Sequence, residues 1–215
     1  MNVNNMSISC QNKIPFKNEK GEITLLRAAF DGDYKQCVMF LDRFSDPDVV
    51  SFSSGQTALM SAAMWGHTEI CELLLEHGAN PNKTNNYGRT ALMTAVNAIQ
   101  FEVCELLLRN GADTNICEGD GTTSLLHASW DGDFRMCKLL LKEGANPNVA
   151  NNNGWTPLWM AARLKKFNLC RMLIHSGAET EKLKNDEAKQ DLLDWAKLKQ
   201  DQTMLLTLSK SNQDD

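Results

Sequence analysis

The sequence predicts an all-α solenoid built from stacked helix-turn-helix repeats. Similar segments recur along the 215 residues, and each contains one cysteine next to an apolar run: Cys37, Cys71, Cys104, Cys137 and Cys170. The last four cysteines are spaced by 33 residues, and a fixed period of this size is typical of stacked-repeat proteins. Because such a chain is mostly scaffold, we expect its function to reside in a surface rather than in a catalytic pocket.

A single repeat, residues 55–87, shows why each unit should contain two helices. Thr57 precedes an apolar stretch and can accept a hydrogen bond from an early helix amide, so it predicts a helix start. Gly66 can adopt the left-handed conformation that ends this helix. A second helix should then open at Thr68 or the preceding histidine and end at Gly78, before a loop rich in Asn, Pro and Gly.

The full pattern of this repeat, G-x-T-x-L-x-x-A-x-x-x-G-H-x-E-I-x-x-L-L-L-x-x-G-A-x-x-N, resembles the ankyrin repeat. Full copies begin near Gly55, Gly88, Gly121 and Gly154. The resemblance covers roughly residues 22–209. It implies an ankyrin-like helix-turn-helix solenoid with hairpin loops that project at right angles to a two-layer helical stack.

We expect a flexible N-terminal arm at 1–21, a repeat array at 22–209 and a free tail at 210–215. Within the array, the expected repeats are 22–53, 54–86, 87–119, 120–152, 153–188 and a shortened cap at 189–209. Ile99 and Lys165 replace the glycine between the two helices of their repeats, so those turns should be strained. Trp159 and Trp195 are expected in the core.

Composition excludes several classes of function. The formal net charge of −5 argues against broad nucleic-acid binding, which requires a basic face. No apolar run approaches the roughly 20 residues that cross a bilayer, and the N-terminus lacks the apolar region of a secretory signal, so we expect no membrane insertion. Cysteines at equivalent positions of neighbouring repeats lie about 10 Å apart, too far for a disulfide. We therefore expect reduced thiols and a cytoplasmic location that could extend to the nucleus. We also expect a monomer.

The sequence carries no recognisable catalytic motif. No P-loop, nucleophile elbow or zinc-protease motif is present. His67 and Cys71 could face one metal ion on a helix, but the histidine also matches the helix-start position of the family. The two Asp-Gly-Asp segments, at 31–33 and 131–133, resemble a fragment of a calcium loop and fall on the family's turn. We predict no enzyme activity, no metal and no cofactor; Cys117, in a loop, and Cys10 are the candidate reactive thiols.

The resemblance also implies a binding face. In ankyrin-like proteins the hairpin tips and the exposed side of each first helix form a concave surface. Trp65 and Trp130 are the expected central anchors, Tyr87 and Trp155 the loop-tip contacts, and small Asn97 a recess between the anchors. The complete predicted partner-binding set is Phe30, Asp31, Met64, Trp65, Tyr87, Arg89, Asn97, Trp130, Asp131, Trp155 and Arg163. Large exposed apolar residues favour contact with a partner, although several could instead pack against neighbouring loops.

These features predict noncovalent binding of another protein, whose identity the sequence does not state. Two alternatives stay open at this point: a substrate-recruiting adaptor or regulatory subunit of an enzyme complex, and an effector that mimics ankyrin proteins of a host. The resemblance further implies a modification, because Asn82, Asn115 and Asn148 occupy the hairpin position that an asparaginyl hydroxylase modifies in many ankyrin-like proteins.

Overall fold

The helix pairs that the sequence predicts are present throughout the described chain. The structure, a computed structural model, describes residues 24–43, 46–183 and 187–210. These residues form helices joined by turns and hairpin loops, with only isolated β-bridges between extended residues. The all-α prediction is therefore confirmed. The chain divides into two units between Asp113 and Thr114, and each unit is described by itself.

Unit 1 contains three helix pairs. The first pair is α1 (Leu25–Asp31) and α2 (Tyr34–Arg43). The second pair is α3 (Ala58–Trp65) and α4 (Thr68–Glu76). The third pair is α5 (Ala91–Asn97) and α6 (Phe101–Arg109). The first helices α1, α3 and α5 pack on one another as one layer, and α2, α4 and α6 form the second layer.

Unit 2 continues the same pattern. It contains α7 (Ser124–Asp131) with α8 (Phe134–Lys142), and α9 (Pro157–Arg163) with α10 (Phe167–His175). A short 3₁₀ helix, Glu181–Leu183, precedes α11 (Glu187–Leu198) and α12 (Gln202–Lys210). Helix α7 packs on α9, and α8 packs on α10. No helix in the described ranges is both long and apolar enough to cross a membrane.

One threonine caps the start of each first helix, which explains why the helices begin at the same place in every repeat. In each case the side-chain oxygen accepts a hydrogen bond from the backbone N–H three residues later. The five caps are Thr24, Thr57, Thr90, Thr123 and Thr156, with N···O distances of 3.1–3.3 Å. Thr24 precedes the first full copy of the motif, which begins near Gly55, so the cap is present even where the full motif is not.

The turns between paired helices fall into two kinds, as the sequence predicts. Gly66 and Gly132 end α3 and α7 in the left-handed conformation, with φ of 73° and 70°. Ile99 and Lys165 adopt the same conformation with φ of 58° and 55°. Since a side chain in this region costs about 1 kcal/mol, these two turns are strained relative to the glycine turns.

The five cysteines that recur once per repeat lie in the core. Cys37, Cys71, Cys104, Cys137 and Cys170 are completely buried, as predicted for small apolar side chains. Burial raises the thiol pKa of Cys37, Cys71, Cys137 and Cys170 from 9.0 to about 12. These thiols therefore stay protonated at neutral pH and lack both the access and the charge that reactivity requires.

Thiol labelling should distinguish the five buried repeat cysteines from the exposed cysteine. Cys117 is exposed, whereas Cys10 lies outside the described residues, so the Cys10→Ser variant simplifies the count. In this variant a thiol reagent at pH 8 should label one group in the folded protein and all six after denaturation, since only Cys117 is accessible. Rapid labelling of several thiols in the folded state would contradict the burial of the five repeat cysteines, and an intact mass lacking two or more hydrogens would contradict the reduced state.

Candidate functional site

Unit 1 carries an exposed aromatic pair on its first helices. The rings of Phe30 at the end of α1 and Trp65 at the end of α3 meet edge to face, with centroids 5.2 Å apart. Phe30 is half-buried, whereas Trp65 is 46% exposed. The Arg27 guanidinium lies 5.3 Å from the centroid of the Phe30 ring and forms an ion pair with Asp31. We call Phe30 and Trp65 the unit 1 aromatic pair.

The neighbouring hairpin loops of unit 1 add two exposed aromatic side chains. Tyr87 is 70% exposed, as its predicted loop-tip position requires. Phe52 is 100% exposed and was not singled out from the sequence. The two loops are joined, because the Asn86 N–H donates to the carbonyl of Ser54 over 3.0 Å. The available signal was a phenylalanine that follows Val49 and Val50 in the loop before Thr57.

The remaining predicted residues of unit 1 have more modest surroundings. Met64, which directly precedes Trp65 in the sequence, is half-buried. Asn97 is exposed at the end of α5. Arg89 is partly buried, and its backbone N–H donates to the Asn85 side chain over 3.0 Å. Asp31 is exposed but is held by Arg27, so its charge is already partly compensated.

Unit 2 carries a longer aromatic array. Trp130, at the end of α7, is 53% exposed, and its ring lies 5.9 Å from that of Trp155 at a tilt of 44°. Trp155, in the hairpin loop, stacks almost parallel on Trp159, with centroids 5.3 Å apart and an interplanar angle of 5°. The Arg163 guanidinium lies 5.8 Å from the Trp159 centroid. We call Trp130, Trp155, Trp159 and Arg163 the unit 2 aromatic ladder.

Two tryptophans expected in the core lie elsewhere. Trp159 is only half-buried, because its neighbours Leu158 and Met160 fill the buried side of α9 and its indole turns towards the hairpin to stack on Trp155. Trp195 is also half-buried and stacks on Phe167, with centroids 5.6 Å apart. The expectation of core positions was therefore wrong for both. An apolar side chain satisfies helical periodicity at either place, and only tertiary packing distinguishes them.

A polar group adjoins the unit 2 aromatic ladder. His127, on α7, contacts Glu118 of the preceding hairpin loop, with 2.6 Å between Nε2 and Oε1. Partial burial raises the pKa of the Asp131 carboxyl above its ordinary value, while the nearby His127 opposes this rise and Asp133 adds to it. Beside Trp130 the surface is therefore acidic and partly desolvated, a setting in which a charge interacts more strongly than in open water.

The hairpin asparagines connect consecutive loops. Asn115 Nδ2 donates to the Gly144 carbonyl over 3.1 Å, and its Oδ1 accepts from the Asn146 N–H over 2.8 Å. Asn82 makes the same two bonds to Gly111 and Asp113, and Asn148 makes them to Gly177 and Glu179. Each carboxamide therefore bridges its own loop to the next one within its unit.

No arrangement suited to metal binding is found in the part of the chain that the structure describes. There, no three His, Cys, Asp or Glu side chains converge as ligands. His67 instead packs against the turn of the preceding repeat, with Nε2 3.3 Å from the Phe30 carbonyl. A Cβ at Gly32 would lie only 2.7 Å from the His67 ring, so the glycine allows this contact. In the described structure His67 is a contact between repeats, and Cys71 is buried below it.

Capped helix pairs, regular hairpins and exposed aromatic side chains together define a helical-repeat protein of the scaffold class. A family model described as ankyrin repeats in three copies matches residues 25–118 and again 97–186, which together exceed half of the chain. The chain belongs to the ankyrin-repeat family. Ankyrin repeats are generic protein-protein interaction modules.

One curated relative is the Ankyrin repeat and SAM domain-containing protein 6 of Danio rerio. It is 41% identical over 64 residues, which amounts to 30% of this chain and 9% of the relative. The chain therefore aligns with less than a tenth of that protein's length, and the likeness concerns a short stretch of the repeat array.

Proposed function

We propose that this chain is a noncatalytic module that binds another protein noncovalently through the first helices and hairpin loops of its repeats. The observation that carries the proposal is the exposure of large aromatic side chains on that surface. Trp65, Trp130, Tyr87 and Phe52 are between 46% and 100% exposed. Polar residues at these positions would be sufficient for solubility, whereas aromatic residues are enriched where proteins contact one another.

The ring contacts within each unit support the same proposal. In the unit 2 aromatic ladder, Trp155 is held against both Trp130 and Trp159, so its orientation is set before a partner arrives. Preorganised side chains lose less conformational freedom on binding than mobile ones. Trp130, which is 53% exposed and lies against the ring of Trp155, is therefore suited to act as a binding anchor.

The alternative is that these rings serve only to pack neighbouring loops together. That account suits Trp155 and Trp159, which cover one another. It does not explain Tyr87 and Phe52, which remain 70% and 100% exposed. The proposal therefore assigns direct contact to the exposed rings and a supporting role to Trp159 and Arg163. In unit 1 the proposal assigns charged contacts to Asp31 and Arg89 and further contacts to Met64 and Asn97. In unit 2 it assigns a charged contact to Asp131.

Site-specific photo-crosslinking tests this proposal. A photoreactive phenylalanine analogue would replace Tyr87 in one variant, Trp130 in a second and Lys142, on the second helix α8, in a third. Under the proposal, one partner protein is captured from the first two variants and not from the third, since Lys142 lies outside the proposed surface. Capture of the same partner from Lys142 alone would contradict it. If the partner is an enzyme or its substrate, the adaptor role becomes the more specific description.

We also propose that Asn82, Asn115 and Asn148 are substrates of an asparaginyl hydroxylase, on the basis of the family resemblance. Because both ends of each carboxamide are hydrogen-bonded, the folded loops should react more slowly than an unfolded chain. A purified hydroxylase should add one oxygen to a peptide that spans 106–121, and add it more slowly to the folded protein, as mass spectrometry can measure. No reaction with the peptide or with the heat-unfolded protein would exclude this modification.

A further inference from the structure

A second surface, outside the one just proposed, lies along α10 in unit 2. There the chain forms an open groove of 790 Å³. Its apolar lining comes from three helices: Phe134 at the start of α8, Phe167 and Met172 on α10, and Trp195 on α11. Phe134 is 45% exposed, and the stacked rings of Phe167 and Trp195 are each half-buried. The groove thus offers aromatic surface to water.

The charged side chains that line this groove are all basic. They are Lys165, Lys166 and Arg171, together with the titratable His175, and none of the lining residues is acidic. This is a local reversal, because the whole chain has a formal net charge of −5. A basic groove in an acidic chain attracts a negatively charged ligand through complementary potential.

Lys166 is the cation best placed to meet such a ligand. Its aliphatic stem lies across Gly132, where a Cβ would come within 2.7 Å of the lysine Cε. Lys166 and Phe134, which is two residues from the glycine, both line the groove. Among the described residues, the Lys166 ammonium has no ion-pair partner, so its charge is uncompensated within that part of the chain.

The other two cations are partly compensated yet accessible. Lys165 Nζ lies 2.9 Å from Asp191 Oδ2, and 66% of the Lys165 side chain is exposed. Arg171 Nε lies 2.8 Å from Asp201 Oδ2, and 57% of the Arg171 side chain is exposed. That carboxylate oxygen is buried and accepts no well-aligned hydrogen bond from described residues, so the contact is an ion pair of imperfect geometry. Asp191 and Asp201 limit the positive charge around the groove.

We infer that this groove docks an acidic segment of another protein that carries an aromatic or aliphatic side chain. The apolar side chain would enter beside Phe134 and Phe167, and its flanking carboxylates would meet Lys166 and the exposed part of Arg171. A nucleic acid fits less well, because it requires many cations to replace its counterions and the groove offers few. The chemistry therefore favours a ligand with a few carboxylates and one apolar anchor.

A defined probe peptide tests the inference. Its sequence is Gly-Glu-Asp-Phe-Glu-Asp-Leu-Gly with an N-terminal fluorescein, and fluorescence anisotropy reports its binding to the full chain. One control peptide replaces every Glu and Asp with Gln and Asn, and a second replaces Phe and Leu with Ser. We expect the probe to bind, the neutral peptide to bind about tenfold more weakly or worse, and the serine peptide likewise, because both charge and apolar contact are required.

Matched protein variants locate the binding. Lys166→Gln keeps most of the stem and removes the charge, so it should weaken probe binding about threefold, the size expected for one exposed ion pair. The pair Lys166→Gln with Phe134→Ser should weaken it about tenfold or more. Lys142→Gln removes another exposed lysine of unit 2, which pairs with Glu143 and does not line the groove, and should change nothing. Unchanged circular dichroism checks that each variant is folded.

Several outcomes would overturn the inference. Absence of probe binding at millimolar concentration, equal binding of the serine peptide, or equal weakening by Lys142→Gln would each do so, since the last two indicate a general attraction to anions. The Trp65→Ser, Trp130→Ser double variant separates this surface from the first-helix surface. Probe binding that survives in it supports a distinct site, and probe binding lost in it would assign the peptide to the aromatic surface instead.

Discussion

Replacing Leu107 with alanine should lower the free energy of unfolding by about 2–5 kcal/mol, the range found when a buried leucine is truncated. Leu107 lies on α6 and is completely buried. Truncation removes apolar contacts, and because the stacked helices around it cannot collapse fully, it also leaves a cavity. Urea denaturation followed by circular dichroism at 222 nm would measure the change, since helix loss dominates that signal in an all-α protein.

Leu198→Ala is the matched control for this prediction. It makes the same chemical change at the end of α11, where the leucine is 77% exposed. We expect it to change stability by less than about 0.5 kcal/mol, as for most surface substitutions. If Leu107→Ala also costs less than about 1 kcal/mol, the assignment of Leu107 to the core would be wrong.

Replacing Trp130 with alanine should weaken binding of a protein partner by about 30-fold or more, because truncating an interface anchor costs at least about 2 kcal/mol. Trp130 is 53% exposed and is held against Trp155. The same reasoning applies to Trp65, which is 46% exposed against Phe30. Calorimetric titration of the partner captured by crosslinking would measure the affinity of each variant.

Measuring the stability of each variant shows whether weaker binding results from the lost side chain or from unfolding. Each tryptophan makes one principal ring contact, so its removal should cost less than about 1.5 kcal/mol in denaturation. Tyr34→Ala is the control, because Tyr34 is 43% exposed and lies on the second helix α2. Affinity should be unchanged in that variant. If the folded Trp65, Trp130 double variant retains full affinity, the binding surface lies outside the first helices and hairpin loops.

Much of the fold could be predicted from the sequence, because the signals that start and end the helices act over a few residues. A threonine that caps a helix acts on an amide three residues away, and a glycine that ends one acts on the turn in which it lies. These signals therefore predicted the start of α3 after Thr57 and its end at Gly66. Even the strain at Ile99 and Lys165 followed from the absence of glycine at those positions.

The orientation of side chains was harder to predict from the sequence, because helical periodicity does not distinguish a core position from a half-buried one beside a loop. Trp159 satisfied the pattern of a core residue, and its stacking on Trp155 depends on the path of the hairpin loop. Phe52 was overlooked for the converse reason. The sequence does not distinguish an apolar loop residue that is covered from one that is exposed, and only the structure shows that nothing described covers Phe52.

The sequence by itself determined the repeat period, the helix pairs, the buried cysteines and the family, because each follows from short-range spacing. Only the tertiary structure decided which side chains meet. It brought Trp65 against Phe30 and Trp155 against Trp130, and it assembled the groove along α10 from separate helices. These contacts depend on distances between residues that are far apart along the chain or on different loops, and packing sets such distances.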